Sequence, residues 1–190
     1  MSKFKHWRKL AIGLGVLIVL AAALVSLMVT TWAPSMRRTH ALKLYSDYMT
    51  LYTADMTAGW DGDPAYFSDY LVDPAWQAQA IMHDQLYRGG GSVTPVGTPY
   101  FAVTKWAPLD DPVGHPDATV GLTVCYVQGN LVVVKSSLPE FSTSTGPEPI
   151  GHAIQVFFKY SKGRGDNPQV RLRIYDFTDI TPDDGTCPLN

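Results

Sequence analysis

The side chains best suited to proton transfer or metal binding are His40, His83, His115 and His152, and none stands at ligand spacing from another histidine or from a cysteine. No zinc site follows, and the pattern implies no cofactor. His83 alone falls on an amphipathic helical stretch, where a half-buried residue with a local hydrogen bond is a plainer reading than a proton carrier. Gly89-Gly90-Gly91 lacks the Lys-Ser/Thr of a phosphate loop and closes a helix instead of opening one. Asp61-Gly62-Asp63 offers too few oxygen ligands for a calcium loop and reads as a turn with a helix cap. No Gly-x-Ser-x-Gly elbow marks a hydrolase.

The most pointed short motif is Arg164-Gly165-Asp166, within Gly163 to Pro168. It matches the integrin-binding tripeptide, but Gly, Asp, Asn and Pro are also what a hairpin tip requires. We read it as an exposed turn without an adhesion role. Cys125 and Cys187 are the only two cysteines. In an oxidising compartment they are expected to form one disulfide that pins the polar tail to a strand, the other reading being two separate thiols.

The compartment follows from the N-terminal segment. Leu10 to Trp32 is uncharged, and a helix of that length reaches about 35 Å, enough to span a bilayer. Lys3, Lys5, Arg8 and Lys9 precede the run, whereas only Arg37 and Arg38 follow it closely, which places the N-terminus in the cytoplasm and the rest outside. A cleaved signal peptide is the competing reading, with Ala21-Ala22-Ala23 as its site. Against it, the apolar run continues nine residues past Ala23. The expected organisation is therefore a basic cytoplasmic segment 1–9, a membrane helix 10–32 and an extracellular domain 33–190. That domain keeps all 17 acidic residues and 15 − 4 = 11 Lys+Arg, a net of 11 − 17 = −6. Such a surface is unsuited to nucleic acid, which is bound by neutralising phosphates.

Within the domain, Pro34-Ser35 offers a helix start with Ser35 as cap, and Leu42, Tyr45, Met49, Tyr52 and Met56 recur at three and four residues, widened by Leu44, Tyr48 and Leu51. The spacing predicts a helix over 38–56. Asp63-Pro64 and Asp73-Pro74 each place an acid before a proline, predicting a short helix 64–71 and a longer one 74–88 with Trp76, Ala80, His83 and Tyr87 on one face. From Thr98 the period becomes alternating. Strands are expected at 100–106, 118–127, 131–137, 154–160 and 169–177, with Gly129-Asn130 as a tight hairpin and 142–149 as a polar loop. Val120, Leu122, Val124 and Tyr126 share one face of their strand. In the last strand Val170, Leu172 and Ile174 oppose Arg171, Arg173 and Tyr175. The fold class is α+β: a membrane helix, then helices packed in a curved antiparallel sheet.

The order of helices then sheet, with Cys125 in a central strand and Cys187 just past the last one, resembles the nuclear-transport-factor-two-like (cystatin-like) exported domains of single-span Gram-positive membrane proteins. Those include accessory domains of conjugation and secretion channels. The last strand departs from the resemblance, reading Arg171-Leu172-Arg173-Ile174-Tyr175 where many members carry Trp-x-Val. The resemblance implies a cone with a pocket between helices and sheet, for which Tyr45, Tyr48 and His83 are the candidate lining residues. It also implies a non-catalytic scaffold that docks another envelope protein or a second copy, the alternative being a small-ligand or isomerase-like pocket protein. The domain holds only two Glu, and its Asp residues sit mostly at caps and turns, which argues against an enzyme. Intact mass of the mature protein should include Leu10 to Trp32; an N-terminus at Leu24 would refute the anchor.

Overall fold

The computed structural model describes residues 17–57, 64–88, 92–109, 114–134, 150–162, 169–182 and 186–189. The basic segment 3–9, the Asp61-Gly62-Asp63, Gly89-Gly90-Gly91 and Arg164-Gly165-Asp166 motifs and the loop 142–149 lie outside the described residues.

The chain divides into two units, Met1–Thr39 and His40–Asn190. In the first, residues 17–27 are helical and Met28–Trp32 forms a π turn. Leu17–Asp55 is a helix long and apolar enough to cross a membrane, with a window of mean hydropathy 2.0 that is 0% buried. Thr30 and Thr31 donate to the carbonyls of Ser26 and Leu27, which satisfies both hydroxyls inside the helix. The π turn has a cause in Pro34, which has no N–H to offer the Thr30 carbonyl and whose ring crowds it. Ser35 does not cap a new start. Its hydroxyl donates to Trp32 O at 3.0 Å, and the helix α1, Ala33–Thr57, begins before it.

In the second unit α1 is followed by a 3-10 turn, Pro64–Asp69, the helix α2, Ala75–Arg88, and four strands. The strands β1 (Ser92–Leu109), β2 (Val120–Val134), β3 (Ile150–Lys162) and β4 (Val170–Asp179) form one antiparallel sheet in sequence order. The α+β class holds. The short helix expected over 64–71 is a 3-10 helix, Pro64–Asp69, and the following Tyr70 to Val72 runs beside β4. Val72 N donates to Ile174 O at 2.9 Å, and Ile174 N to Tyr70 O at 2.8 Å. This bridge covers an edge that would otherwise be open. At α2, Pro74 O accepts from Ala78 N at 3.0 Å, so Pro74 sits at the cap and Asp73 one residue outside it.

Gly129-Asn130 is not a turn. The strand expected over 118–127 and the described part of that expected over 131–137 belong to one continuous β2, in which Gly129 pairs with Tyr100 of β1. The glycine is there for space, since a Cβ would lie 2.6 Å from Tyr100 Cε1. A Gly-Asn pair thus marked a close approach between strands and not a reversal.

The inner sheet face and α1 form the core. Ala41, Tyr45, Tyr48 and Met49 pack with Val120, Leu122 and Val124 of β2, Val156 and Phe158 of β3, and Leu172 and Ile174 of β4. Each such aliphatic or aromatic burial contributes about 1.5–3 kcal/mol. Phe67 and Leu71 close the β4 side. The outer face is covered as well: the His115 ring stacks on Phe157 at 3.6 Å between centroids, and Cys187 is joined to Cys125. Lys105 Nζ donates to Leu189 O at 3.0 Å, tying the tail to β1.

Arg173 lies opposite Leu172 and Ile174, as strand alternation demands, yet it is fully buried. Its Nε donates to Ser68 O at 3.1 Å and its Nη1 to Ser161 O. Burial lowers its pKa, opposed by the nearby Asp69 carboxylate. The side chain clamps the 3-10 turn to the β3–β4 pair.

The Cys125–Cys187 disulfide spans 62 residues with Cα atoms 5.8 Å apart. Closing a loop of that length in the unfolded chain stabilises the fold by about 4 kcal/mol in the chain-entropy model. Cys125→Ala with Cys187→Ala should lower the unfolding free energy of the domain by up to that amount in urea titrations. An unchanged midpoint would show that the bridge contributes nothing to stability.

Candidate functional site

A cavity of about 150 Å³ opens between α1, α2 and the inner sheet face. Helical period puts Tyr45, Tyr48 and Tyr52 on one stripe of α1, and Gln79 and Met82 come from α2. Tyr126, Ile154 and Phe177 close it from three strands. The rings meet at aromatic-pair distances: Tyr45 to Tyr126 at 6.3 Å edge-on, Tyr48 to Tyr52 at 6.0 Å, and Tyr48 to Phe67 at 5.8 Å edge-on.

Its polar groups stand at two ends. At one, Tyr48 Oη donates to Gln79 Oε1 at 3.0 Å, whereas Gln79 Nε2 has no hydrogen-bond partner among the described residues. Gln79 is 2% exposed. At the other end the Tyr45 ring meets that of Tyr126 edge-on, its hydroxyl buried without a hydrogen-bond partner among the described residues, and the His152 ring lies flat on Tyr126 at 5.1 Å. Burial raises the pKa values of Tyr45, Tyr48 and Tyr52, with neighbouring phenols adding to it. For Tyr126, burial and then the Asp179 carboxylate push the phenol up to about 12. His152 is lowered by burial, against the pull of Asp179. Partial burial works against ionisation of Asp179, but the Thr181 hydroxyl and backbone N–H, the latter at 2.8 Å, hold the carboxyl below its ordinary range.

The structure brings Tyr45 and Tyr48 together as the expected pocket residues and leaves His83 out of the lining. His83, one turn past Gln79 on α2, faces the Asp55 carboxylate instead, Nε2 to Oδ2 3.6 Å, with both side chains buried. Asp55 corrects the expectation that the aspartates sit at solvent-facing caps and turns. It lies seven residues after Tyr48 on the buried α1 stripe, a spacing that could have found it. Gln79 was missed because an amide on an amphipathic helix reads as surface. Its signal is the four-residue spacing to Ala75 and His83, which share its buried face. Asp47 pairs with Lys43 on the outer side of α1, as its polar flank predicts. His40 is exposed, and His115 Nδ1 stands 3.3 Å from Asp176 Oδ2 on the far face of the sheet. Among the described residues no three His, Cys, Asp or Glu side chains gather as a metal site would require.

Chemically, the cavity offers neutral phenols, a carboxamide and aromatic faces. Comparison with protein-family models, curated proteins and solved structures finds no match to this chain.

The pKa directions set two pH limits. A raised phenol contributes stability that is present below its unfolded value of 10.0 and lost as pH rises toward the folded value. A lowered histidine contributes stability that is present above its unfolded value of 6.5 and lost as pH falls below it. Phenolate absorbance near 295 nm should therefore show Tyr45, Tyr48, Tyr52 and Tyr126 ionising only together with alkaline unfolding. His152→Gln should flatten the loss of thermal stability between about pH 6.5 and 5. Ionisation of the four phenols in a folded domain at pH 10 would contradict their burial.

Proposed function

We propose that this protein is a membrane-anchored, extracytoplasmic docking module of the cell envelope that performs no covalent chemistry. Its domain would adopt the cone-like, cystatin-like form of nuclear-transport-factor-two-like domains, with the helices held in the hollow of the sheet. The observation that carries the reading is the composition of that hollow. A general acid–base catalyst needs a group near neutral pKa in reach of a substrate. Here the cavity is lined by phenols held neutral by burial and by a carboxamide, the His83–Asp55 pair faces inward on itself, and His152, the one group near neutral pKa beside it, stacks on Tyr126 and is not part of the lining.

What supports docking is an open sheet edge and exposed aromatic side chains. β1 runs 18 residues and pairs only with β2 among the described residues, leaving its other edge for strand addition. Tyr100 and Trp106 on β1 and Tyr160 on β3 stay partly exposed, and such aromatics are the residues that interfaces enrich. The membrane helix supplies two-dimensional confinement, which raises the effective concentration of a co-anchored partner.

Two measurements test the proposal. In cells, the Cys125–Cys187 bond should be closed before lysis, as read by thiol alkylation; free thiols in the living cell would place the domain in the cytoplasm. A photo-crosslinking residue in place of Trp106, Tyr100 or Tyr160 should give an adduct in the native membrane with a second envelope protein or with a second copy. Absence of adducts from all three positions would refute docking through these side chains.

A further inference from the structure

We propose that the groove between α1, the 3-10 turn and the β3–β4 pair binds a short zwitterionic peptide with aliphatic side chains, its carboxylate taken by Arg171 and its ammonium group by Asp69. None of the groove's residues lines the cavity between α1, α2 and the sheet, and the inference does not depend on the docking reading.

The groove has a volume of about 410 Å³, the scale of a small-ligand site. Three parts of the chain meet there: His40 and Leu44 from α1, Asp69 and Tyr70 from the turn and its end, and Tyr160 and Arg171 from the paired strands. Strand pairing fixes the last two, since Tyr160 stands opposite Leu172, the neighbour of Arg171. The hydrogen bonds of Tyr70 and Val72 to Ile174 hold the end of the turn against β4, and with it Asp69.

Charge selects the ligand class. Arg171 and Asp69 both line the groove and both are exposed. Arg171 donates from Nε and Nη2 to Gln169 Oε1, at 3.1 and 2.5 Å, but that amide is neutral and leaves Nη1 uncommitted among the described residues. A guanidinium with one side uncommitted is suited to a carboxylate. Asp69 feels the buried Arg173, yet among the described residues it accepts no hydrogen bond and forms no ion pair. A simple anion drawn to Arg171 would be repelled by Asp69, and a simple cation drawn to Asp69 would be repelled by Arg171. A molecule carrying one charge of each sign uses both.

The rest of the lining selects the body between those charges. Water satisfies an exposed arginine or aspartate well enough, but it gives nothing to Leu44, Leu172 and Val170, the last 59% exposed. Aliphatic side chains on the ligand would cover them. Tyr70 and Tyr160 add rings, which attract an ammonium group as well as apolar groups.

The test is titration calorimetry of leucyl-leucine into the full chain in lipid nanodiscs, with empty nanodiscs as the reference. The dipeptide should bind saturably, and N-acetyl-leucyl-leucine and leucyl-leucine amide, each lacking one charge, should each bind about tenfold more weakly. Arg171→Gln should abolish the difference between the dipeptide and its amide while keeping that between the dipeptide and its acetylated form. Asp69→Asn should do the reverse. Both side chains are exposed, so the thermal midpoint should hold in each variant. If Asp69→Asn disturbs Arg173 and does not fold, Arg171→Gln and the three ligands on the unaltered chain decide. Equal binding of the three ligands would overturn the charge assignment, and differences that survive Arg171→Gln unchanged would overturn the place of the carboxylate. No saturable heat up to millimolar dipeptide would overturn the site.

Discussion

The domain depends on the packing of the α1 stripe against the inner face of β2, β3 and β4. Ala41, Tyr45, Tyr48 and Met49 are all at most 6% exposed, and the strand residues they meet are as deeply buried. Tyr45, Tyr48 and Tyr52 all lie on that stripe, so much of the helix side of the central contact is made of amphipathic rings. A ring can be buried flat, but its hydroxyl must be placed. Part of the remaining architecture answers that demand: Gln79 is drawn from α2 to Tyr48 and Met82 lies 3.9 Å from the Tyr52 hydroxyl, whereas the Tyr45 hydroxyl is buried without a hydrogen-bond partner among the described residues. A cavity is the geometric residue of this arrangement, because rigid rings standing edge to face do not tile as closely as branched aliphatics.

The same contact explains why some parts were readable from the chain and others were not. The stripe itself was legible, since apolar residues at three- and four-residue spacing admit one interpretation, and alternation in 120–126 and 170–175 identified the inward face of two strands. The paired cysteines were legible because two cysteines allow only one intramolecular pairing. Gly129 was not. Its meaning depends on Tyr100, which lies 29 residues earlier and reaches it only through strand pairing. Gln79, Asp55 and Arg173 failed for a related reason. Polar side chains read as surface unless their partners are known, and Tyr48, His83 and the carbonyls of Ser68 and Ser161 are all distant in sequence.

Covering the outer face of the sheet is the second structural problem, and it is solved with little chain. The loop before β2 brings His115 onto Phe157, and the tail brings Cys187 onto Cys125. Without them Thr123, Cys125 and Phe157, all at most 8% exposed, would face water as an apolar patch. A covalent bond suits the tail because residues 186–189 form no strand or helix of their own. The few kilocalories that loop closure contributes are therefore concentrated where non-covalent burial is thinnest.

The two polar arrangements on α2 show how the domain separates charge from its cavity. His83 and Gln79 are one turn apart and both buried, yet the ionisable one is turned to Asp55 and the neutral one to the phenols. Placing a lone charge among Tyr45, Tyr48 and Tyr52 would cost several kilocalories per mole in a region without a counter-ion, more than any single ring contact returns. An amide costs far less and gives both a donor and an acceptor, so Tyr48 can be satisfied without a charge. Ionisable groups are paired off behind the wall of the cavity, and the wall itself is made of groups that stay neutral through the physiological range.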